Sequence, residues 1–422
     1  MGWVQGDSGR GRAAPERQQW LAKMRQQIHG TVVLLKWTIL ILAIFFLCLA
    51  SEAGSADDRI FFSAEINGKP VRLAFDTGSS LPALFLPSVQ RLGLKYDPAP
   101  TNASLAPGRV PFRQTEEFTL RWESTDIRTR FCIFDAPTSL HADFDGVIGW
   151  SCAATNIIEI DAEGHSVDFP DELPEQVATW IKFPLRTNSS ILEFEVSERD
   201  HTNKIVQVDT GFSGGVALRP DNWRQWKSSH TNQPSTLYAF FMPASGVSVV
   251  EEAWAKKLVL GPLVLTDVPV SKATPTQQEQ DIGTEQFDAT LGFAALKRMD
   301  LIVDGAHGMA YLKPKTTRPP AYQHNRLGAV FVPADLQSVT LLAHVLDGTP
   351  AYEAGIRNGD ELIRINNRDI SHWRTDPDIH PNLTFRENPA GTKFILTLKR
   401  GGEMIETTVI LQDILAPEKT KQ

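Results

Sequence analysis

The sequence predicts an all-β protein of two similar lobes, followed by a smaller β-rich module with two short helices. Three observations lead to this. An apolar approach ending in Asp-Thr-Gly occurs twice, as Ala74-Phe75-Asp76-Thr77-Gly78-Ser79 and as Val208-Asp209-Thr210-Gly211-Phe212-Ser213. The surroundings of the two copies recur in register. Pro87 and Pro220 follow their aspartates at one offset, Ser80 and Ser213 at another, and Asp145-Gly146-Val147-Ile148-Gly149 is mirrored by Asp288-Ala289-Thr290-Leu291-Gly292. Asp161 and Asp304 lie equally far beyond those glycines. Finally, short alternating apolar runs separated by Gly, Pro and Asn turns continue towards the C-terminus, the pattern of strands and hairpins.

Composition narrows the function classes. At 422 residues and 42% apolar content the chain has room for about two or three domains. A formal net charge of −8, with no Lys/Arg-rich run, excludes a basic field for nucleic acid. The 10 histidines are scattered and the 3 cysteines lack ligand spacing, so neither a metal nor another cofactor is expected.

Residues 1–56 read as an export leader. Arg10, Arg12, Arg17, Lys23 and Arg25 outnumber Asp7 and Glu16, and an unbroken apolar run, Trp37 to Ala50, follows Lys36. That run is shorter than the about 20 residues a spanning helix needs, and Ala50 and Gly54-Ser55-Ala56 offer cleavage sites, which favours a signal peptide. Extended back through Thr31 it approaches membrane length, so anchoring by residues 31–50 is the alternative. Translation from Met24 would give a leader of more ordinary length. The expected location is periplasmic or otherwise outside the cytoplasm. In such an oxidising compartment Cys132 and Cys152 either bridge within the first lobe or stay as two buried thiols.

The first lobe, residues 57–173, opens with two apolar runs joined by Asn67-Gly68, a strong hairpin signal that delivers the chain into Asp76. Phe118, Leu120 and Trp122 alternate, and Ile127 to Phe134 alternates again across a turn. Pro170 to Pro174 reads as the inter-lobe linker. In the second lobe, residues 174–314, Ile191 to Val196 and Lys204 to Val208 frame a polar turn before Asp209, and Leu258 to Leu265 is a buried hairpin. Gln277 to Glu285 is a polar loop, and Pro314 to Asn325, with Pro319-Pro320, is the next linker.

From residue 326 to 415 the pattern changes. Thr349 is placed as an N-cap, Pro350 as the first helical residue and Gly355 as the terminator. Strand Glu361 to Ile365 follows, and Lys393 to Leu398 pairs with Met404 to Leu411 across Gly401-Gly402.

The doubled Asp-Thr-Gly and its companion segments resemble the pepsin and retropepsin superfamily over roughly residues 58 to 314. The resemblance implies a bilobal acid-protease fold in which Asp76 and Asp209 are the catalytic pair. Two adjoining carboxylates do not both ionise easily, so one keeps a proton while the other accepts one, as activation of water requires. Thr77 and Thr210 would brace the two loops, and Gly78 and Gly211 would permit their close approach. Protein or peptide substrates are implied, and with both motifs in one chain the enzyme would act as a monomer. The hairpin over residues 118–134 is either the one that closes over a substrate or an ordinary structural hairpin. One asymmetry is visible, Ser79 against Phe212. A Ser79 hydroxyl bonded to Asp76 would favour that aspartate as the ionised member, whereas the same hydroxyl capping its own turn would leave the pair symmetric.

Residues 348 to 362, Gly-Thr-Pro-Ala-x-x-Ala-Gly-Ile-x-x-Gly-Asp-x-Leu, resemble the bacterial form of a PDZ domain. By that resemblance Leu327-Gly328-Ala329 is the loop whose N–H groups capture a peptide C-terminus. Recruitment of substrates by their C-termini or bracing of the lobes are the two roles this implies. Two alternatives stand beside the protease reading. One is a non-catalytic exported peptide-binding protein that keeps the fold. The other uses Ser213 in Gly211-Phe212-Ser213-Gly214-Gly215 as the nucleophile of a PDZ-carrying serine protease, which would need a histidine base that no motif supplies.

Overall fold

Asn67 and Gly68 turn the chain with φ of 53° and 70°, so both central residues take the left-handed conformation that a tight two-residue hairpin demands. This joins β1 (Ile60–Ile66) to β2 (Lys69–Asp76), registered from Ile60 opposite Phe75 to Ile66 opposite Lys69. The computed structural model describes residues 59–415 except 98–103, 106–109, 112, 123–124, 135–143, 199–201, 243–245, 274–286, 318–320, 335–337, 375, 377–378 and 380–382. The expected leader, residues 1–56, and the polar loop over 277–285 lie outside the described residues.

Lobe one continues through β3 (Ala83–Phe85), α1 (Leu86–Leu92), the small hairpin of β4 (Ser104–Leu105) and β5 (Val110–Pro111), β6 (Arg113–Gln114), β7 (Phe118–Trp122), β8 (Thr125–Thr129), β9 (Cys132–Phe134) and β10 (Gly146–Gly149). Its sheet runs β6-β9-β3-β10-β2-β1-β7-β8. The β10 strand is inserted between β2 and β3, parallel to β2, with Gly149 opposite Asp76. The β7–β8 hairpin belongs to the edge of this sheet. It pairs with β1, and Trp122 stacks on Phe62 at 3.8 Å and meets Phe169 edge-on at 4.5 Å. Its apolar side is therefore spent on the lobe's own core, and of the two roles open for residues 118–134 the structure favours the structural one.

Beyond β11 (Ile157–Asp161), β12 (Ser166–Asp168) and β13 (Ile181–Pro184), lobe two comprises β14 (Glu193–Ser197), β15 (Asn203–Val208), β16 (Val216–Leu218), α2 (Pro220–Ser229), β17 (Ser235–Met242), β18 (Gly246–Leu260), β19 (Leu263–Lys272), β20 (Ala289–Leu291), α3 (Phe293–Leu296), β21 (Met299–Asp304) and β22 (Met309–Pro314). The sheet order β14-β15-β20-β16-β19-β18-β17 repeats the plan of lobe one: β20 lies between β15 and β16, parallel to β15. Pro87 and Pro220 explain their shared offset, since each sits in the first turn of a helix, where a missing N–H costs nothing. A third sheet, β12-β11-β21-β22-β13, takes strands from both halves, with Ile157 opposite Asp304. One continuous core runs through the two lobes, and its fully buried Phe75, Phe194 and Phe293 each contribute roughly 1.5–3 kcal/mol.

The C-terminal module has its own core. Its strands are β23 (Ala329–Pro333), β24 (Leu341–Val345), β25 (Glu361–Ile365), β26 (Arg368–Asp369), β27 (Lys393–Arg400) and β28 (Glu403–Ile410), in the order β23-β24-β25-β27-β28 with β26 against β25. Helix α4 (Pro350–Glu353) and a 3-10 turn at Phe385–Glu387 are short helical elements among its described residues. Thr349 does not cap α4 with its side chain as expected. Its hydroxyl donates instead to Leu346 O at 2.6 Å, which fastens the loop before the helix.

The segment read as a linker is packed at its end. Tyr322 donates to Glu252 Oε1 at 2.6 Å, and His324 and Asn325 are buried between lobe two and the module. Burial pushes the Glu252 carboxyl up to about 7, against the lowering effect of the Tyr322 hydroxyl and with a further push from Glu387.

Candidate active site

The two Asp-Thr-Gly turns meet where the lobes join. In the first, Asp76 Oδ1 accepts from the amides of Gly78 at 2.9 Å and Ser79 at 3.1 Å. In the second, Asp209 Oδ1 accepts from Gly211 and Phe212, both at 3.0 Å. Each carboxyl is thus aimed by two backbone donors of its own turn. Gly78 lies directly against the opposite carboxyl. A Cβ added there would stand 2.5 Å from Asp209 Cγ and 2.7 Å from either oxygen, closer than atoms pack. Only glycine lets the first turn approach the second aspartate so closely.

The threonines interlock. Thr77 N donates to Thr210 Oγ1 at 3.0 Å, and Thr210 N to Thr77 Oγ1 at 3.1 Å. Each hydroxyl passes its own proton across the lobes, Thr77 to Val208 O at 2.8 Å and Thr210 to Phe75 O at 2.7 Å. Both threonines are wholly buried. The two-fold arrangement fixes the carboxyls against each other through the backbone, independent of any surface side chain.

The repeated downstream segments supply the next layer. Asp145 Oδ2 accepts from Arg72 N at 2.9 Å on β2, while Oδ1 accepts from Ser88 at 2.7 Å and Arg91 at 2.6 Å on α1. Burial alone would raise its pKa, but these three donors outweigh it and hold the carboxyl below the usual range. Asp288 makes the matching hydrogen bonds in lobe two, accepting from Ile205 N at 3.0 Å on β15 and from the Asn222 amide on α2. Each aspartate ties the strand entering an Asp-Thr-Gly turn to the helix that follows it. Sequence reading found both as a repeat without assigning them this role. Gly149 and Gly292 complete the layer: a Cβ on Gly149 would stand 2.5 Å from Ser79 O, and one on Gly292 2.7 Å from Phe212 O.

Ser79 does not reach Asp76 through its hydroxyl, which donates to Leu81 O at 2.9 Å. It supports the loop through its amide and by capping its own turn, so the expected asymmetry between the aspartates has no hydroxyl behind it. Ser213 lines a small enclosed cavity with Tyr238, Glu252 and His324. That histidine cannot act as its base, because Nδ1 is held by Tyr322 O at 3.2 Å and Nε2 accepts from Leu415 N at 3.4 Å. Cys132 and Cys152 are separate free thiols, pushed up by burial to about 12 and about 11.

Leu327, Gly328 and Ala329 stand at the head of β23, the edge strand of its sheet, and all are buried. Gly328 has φ of 74° and abuts the Thr349 side chain, so no other residue fits. Two of the loop's amides point at Asn325, whose Oδ1 accepts from Leu327 N at 2.9 Å and Gly328 N at 3.2 Å. Asn325 was missed in the sequence, where it closes an apparent linker. An Asn two residues before a Leu-Gly turn is the signal that was available.

Comparison with known proteins matches two segments of the chain. Residues 62–152 match the family model described as Aspartyl protease, and residues 316–378 match PDZ domain. No curated protein matches the chain. The chain therefore carries an aspartyl protease domain and, C-terminal to it, a PDZ domain.

Proposed function

We propose that the protein is an exported aspartic endopeptidase that uses Asp76 and Asp209 as an acid-base pair, with the PDZ domain recruiting substrates by their C-termini. The observation that carries this reading is the contact of Gly78 with both carboxyls: its amide donates to Asp76 while its Cα lies against the Asp209 carboxyl. Two carboxyls held that close share one proton. The ionised member takes a proton from a water whose oxygen then bonds to the scissile carbonyl carbon. The protonated member donates to the developing oxyanion, and the C–N bond breaks as the nitrogen takes up a proton. Because both aspartates belong to one chain, the monomer is the active unit, and activity per mole holds on dilution.

The test is hydrolysis of an unfolded protein by wild type, Asp76→Asn and Asp209→Asn. Each variant should keep the fold and lose activity by about 10²–10⁴-fold, and a transition-state mimic of peptide hydrolysis should block the wild type. Full activity in either variant would overturn the assignment. The PDZ match supports peptide binding, and free C-termini are the class proposed. The basic, then apolar, composition of residues 1–56 supports export, checked by sequencing the N-terminus of the protein recovered outside the cytoplasm.

A further inference from the structure

The carboxamide of Asn325 makes, within the chain, the pattern of bonds that an added peptide end makes with a loop and strand edge. Its Oδ1 takes the Leu327 and Gly328 amides, at 2.9 and 3.2 Å, and its Nδ2 donates to Ala329 O at 2.9 Å. A peptide extending the β23 edge would place a carboxylate oxygen on those same amides and its last N–H on that same carbonyl. We propose that Asn325 is a built-in ligand of the PDZ carboxylate loop, and that a peptide C-terminus binds only by displacing it. This rests on the reading that the loop accepts free C-termini.

The displacement reaches the protease. Asn325 is also the clasp between the PDZ domain and β17 of lobe two: Nδ2 donates to Leu237 O at 2.8 Å, and Thr236 Oγ1 donates to Asn325 O at 2.7 Å. The residue is buried, so its side chain cannot leave the loop while the clasp is shut. Next to Leu237, Tyr238 lies beside Ser213 on the turn that follows Asp209, and both line one cavity with Asn325. Occupancy of the PDZ loop and closure of the lobe-two junction therefore exclude one another. By linkage, whatever opens the junction strengthens peptide binding, and peptide binding opens the junction.

Full-length protein carrying Asp76→Asn, which leaves the probe uncut, is titrated with fluorescent decapeptides ending in Val, Leu, Phe or Ala. Each is made with a free and with an amidated C-terminus. In this background Asn325→Ala should bind the free-carboxylate peptides about tenfold more tightly than the parent. Thr236→Val keeps the loop intact and loosens only the clasp, so it should gain about threefold and carries the test if Asn325→Ala fails to fold. Hydrogen exchange at β17 should quicken on adding peptide. Free-carboxylate peptides that bind parent and variants equally would overturn the latch and leave C-terminal recognition standing. Equal binding of free and amidated peptides, or none in any variant, would overturn C-terminal recognition and the latch with it.

Discussion

Thr77 and Thr210 donate to and accept from each other across the lobe boundary at 3.0 and 3.1 Å, so neither Asp-Thr-Gly turn holds its shape alone. Replacing either by valine keeps the volume, strands the partner's buried amide and frees a buried carbonyl. Thr77→Val or Thr210→Val should each cost about 2–4 kcal/mol in urea unfolding. The double variant should cost less than the sum, because the two share one network. Strict additivity would mean that the grip is not one unit.

Gly78→Ala puts a methyl where the Asp209 carboxyl lies, and that carboxyl is held in place by the Gly211 and Phe212 amides. Activity should fall by at least about 100-fold, by displacement of one carboxyl from the other, with the circular dichroism spectrum unchanged. An active Gly78→Ala would show that the carboxyls have slack in their placement.

Ser79→Ala removes a bond to Leu81 O and nothing from Asp76. The profile of kcat/KM against pH should superimpose on that of wild type, while stability drops by about 1 kcal/mol. A displaced acid limb would return the hydroxyl to Asp76.

Glu252 gives the junction a pH dependence. Its folded pKa of about 7 lies above the ordinary 4.5, so folding favours the protonated form. That stabilisation is complete below the unfolded value and is lost as pH rises through about 7, a change of roughly 3 kcal/mol at most. Glu252→Gln retains an acceptor for Tyr322 and should flatten thermal stability across this window, leaving the variant the more stable protein at neutral pH. Parallel melting profiles for the two proteins would place the titration elsewhere.

What could be read in advance was local. Asn67-Gly68 fixes a turn through two backbone dihedrals, Pro87 and Pro220 fix helix starts, and the first Asp-Thr-Gly turn needs glycine at position 78. The destination of the Ser79 hydroxyl was ambiguous because Leu81 O and Asp76 are both within its local reach, and only the fold of the turn decides. Residues 314–325 have the proline content of a connector. The burial of His324 and Asn325 against lobe two, where Asn325 bonds to Thr236 and Leu237 of β17, depends on a strand remote in sequence and leaves no periodic trace. The β7–β8 hairpin alternates as either kind of hairpin would, and what identifies it is the distant pairing with β1.

The sheet that draws strands from both halves, with Ile157 opposite Asp304, welds two copies of one unit into a single body. Two identical halves related by a dyad would carry every attachment twice. Once the halves are consecutive in one polypeptide, each is free to diverge. Among the described residues, the second half extends β17 and β18 into the long arm on which the PDZ domain rests, and it carries the clasp. The stoichiometry is one PDZ domain to one pair of aspartates, so the two lobes stand in unequal relation to that domain although their Asp-Thr-Gly turns are alike.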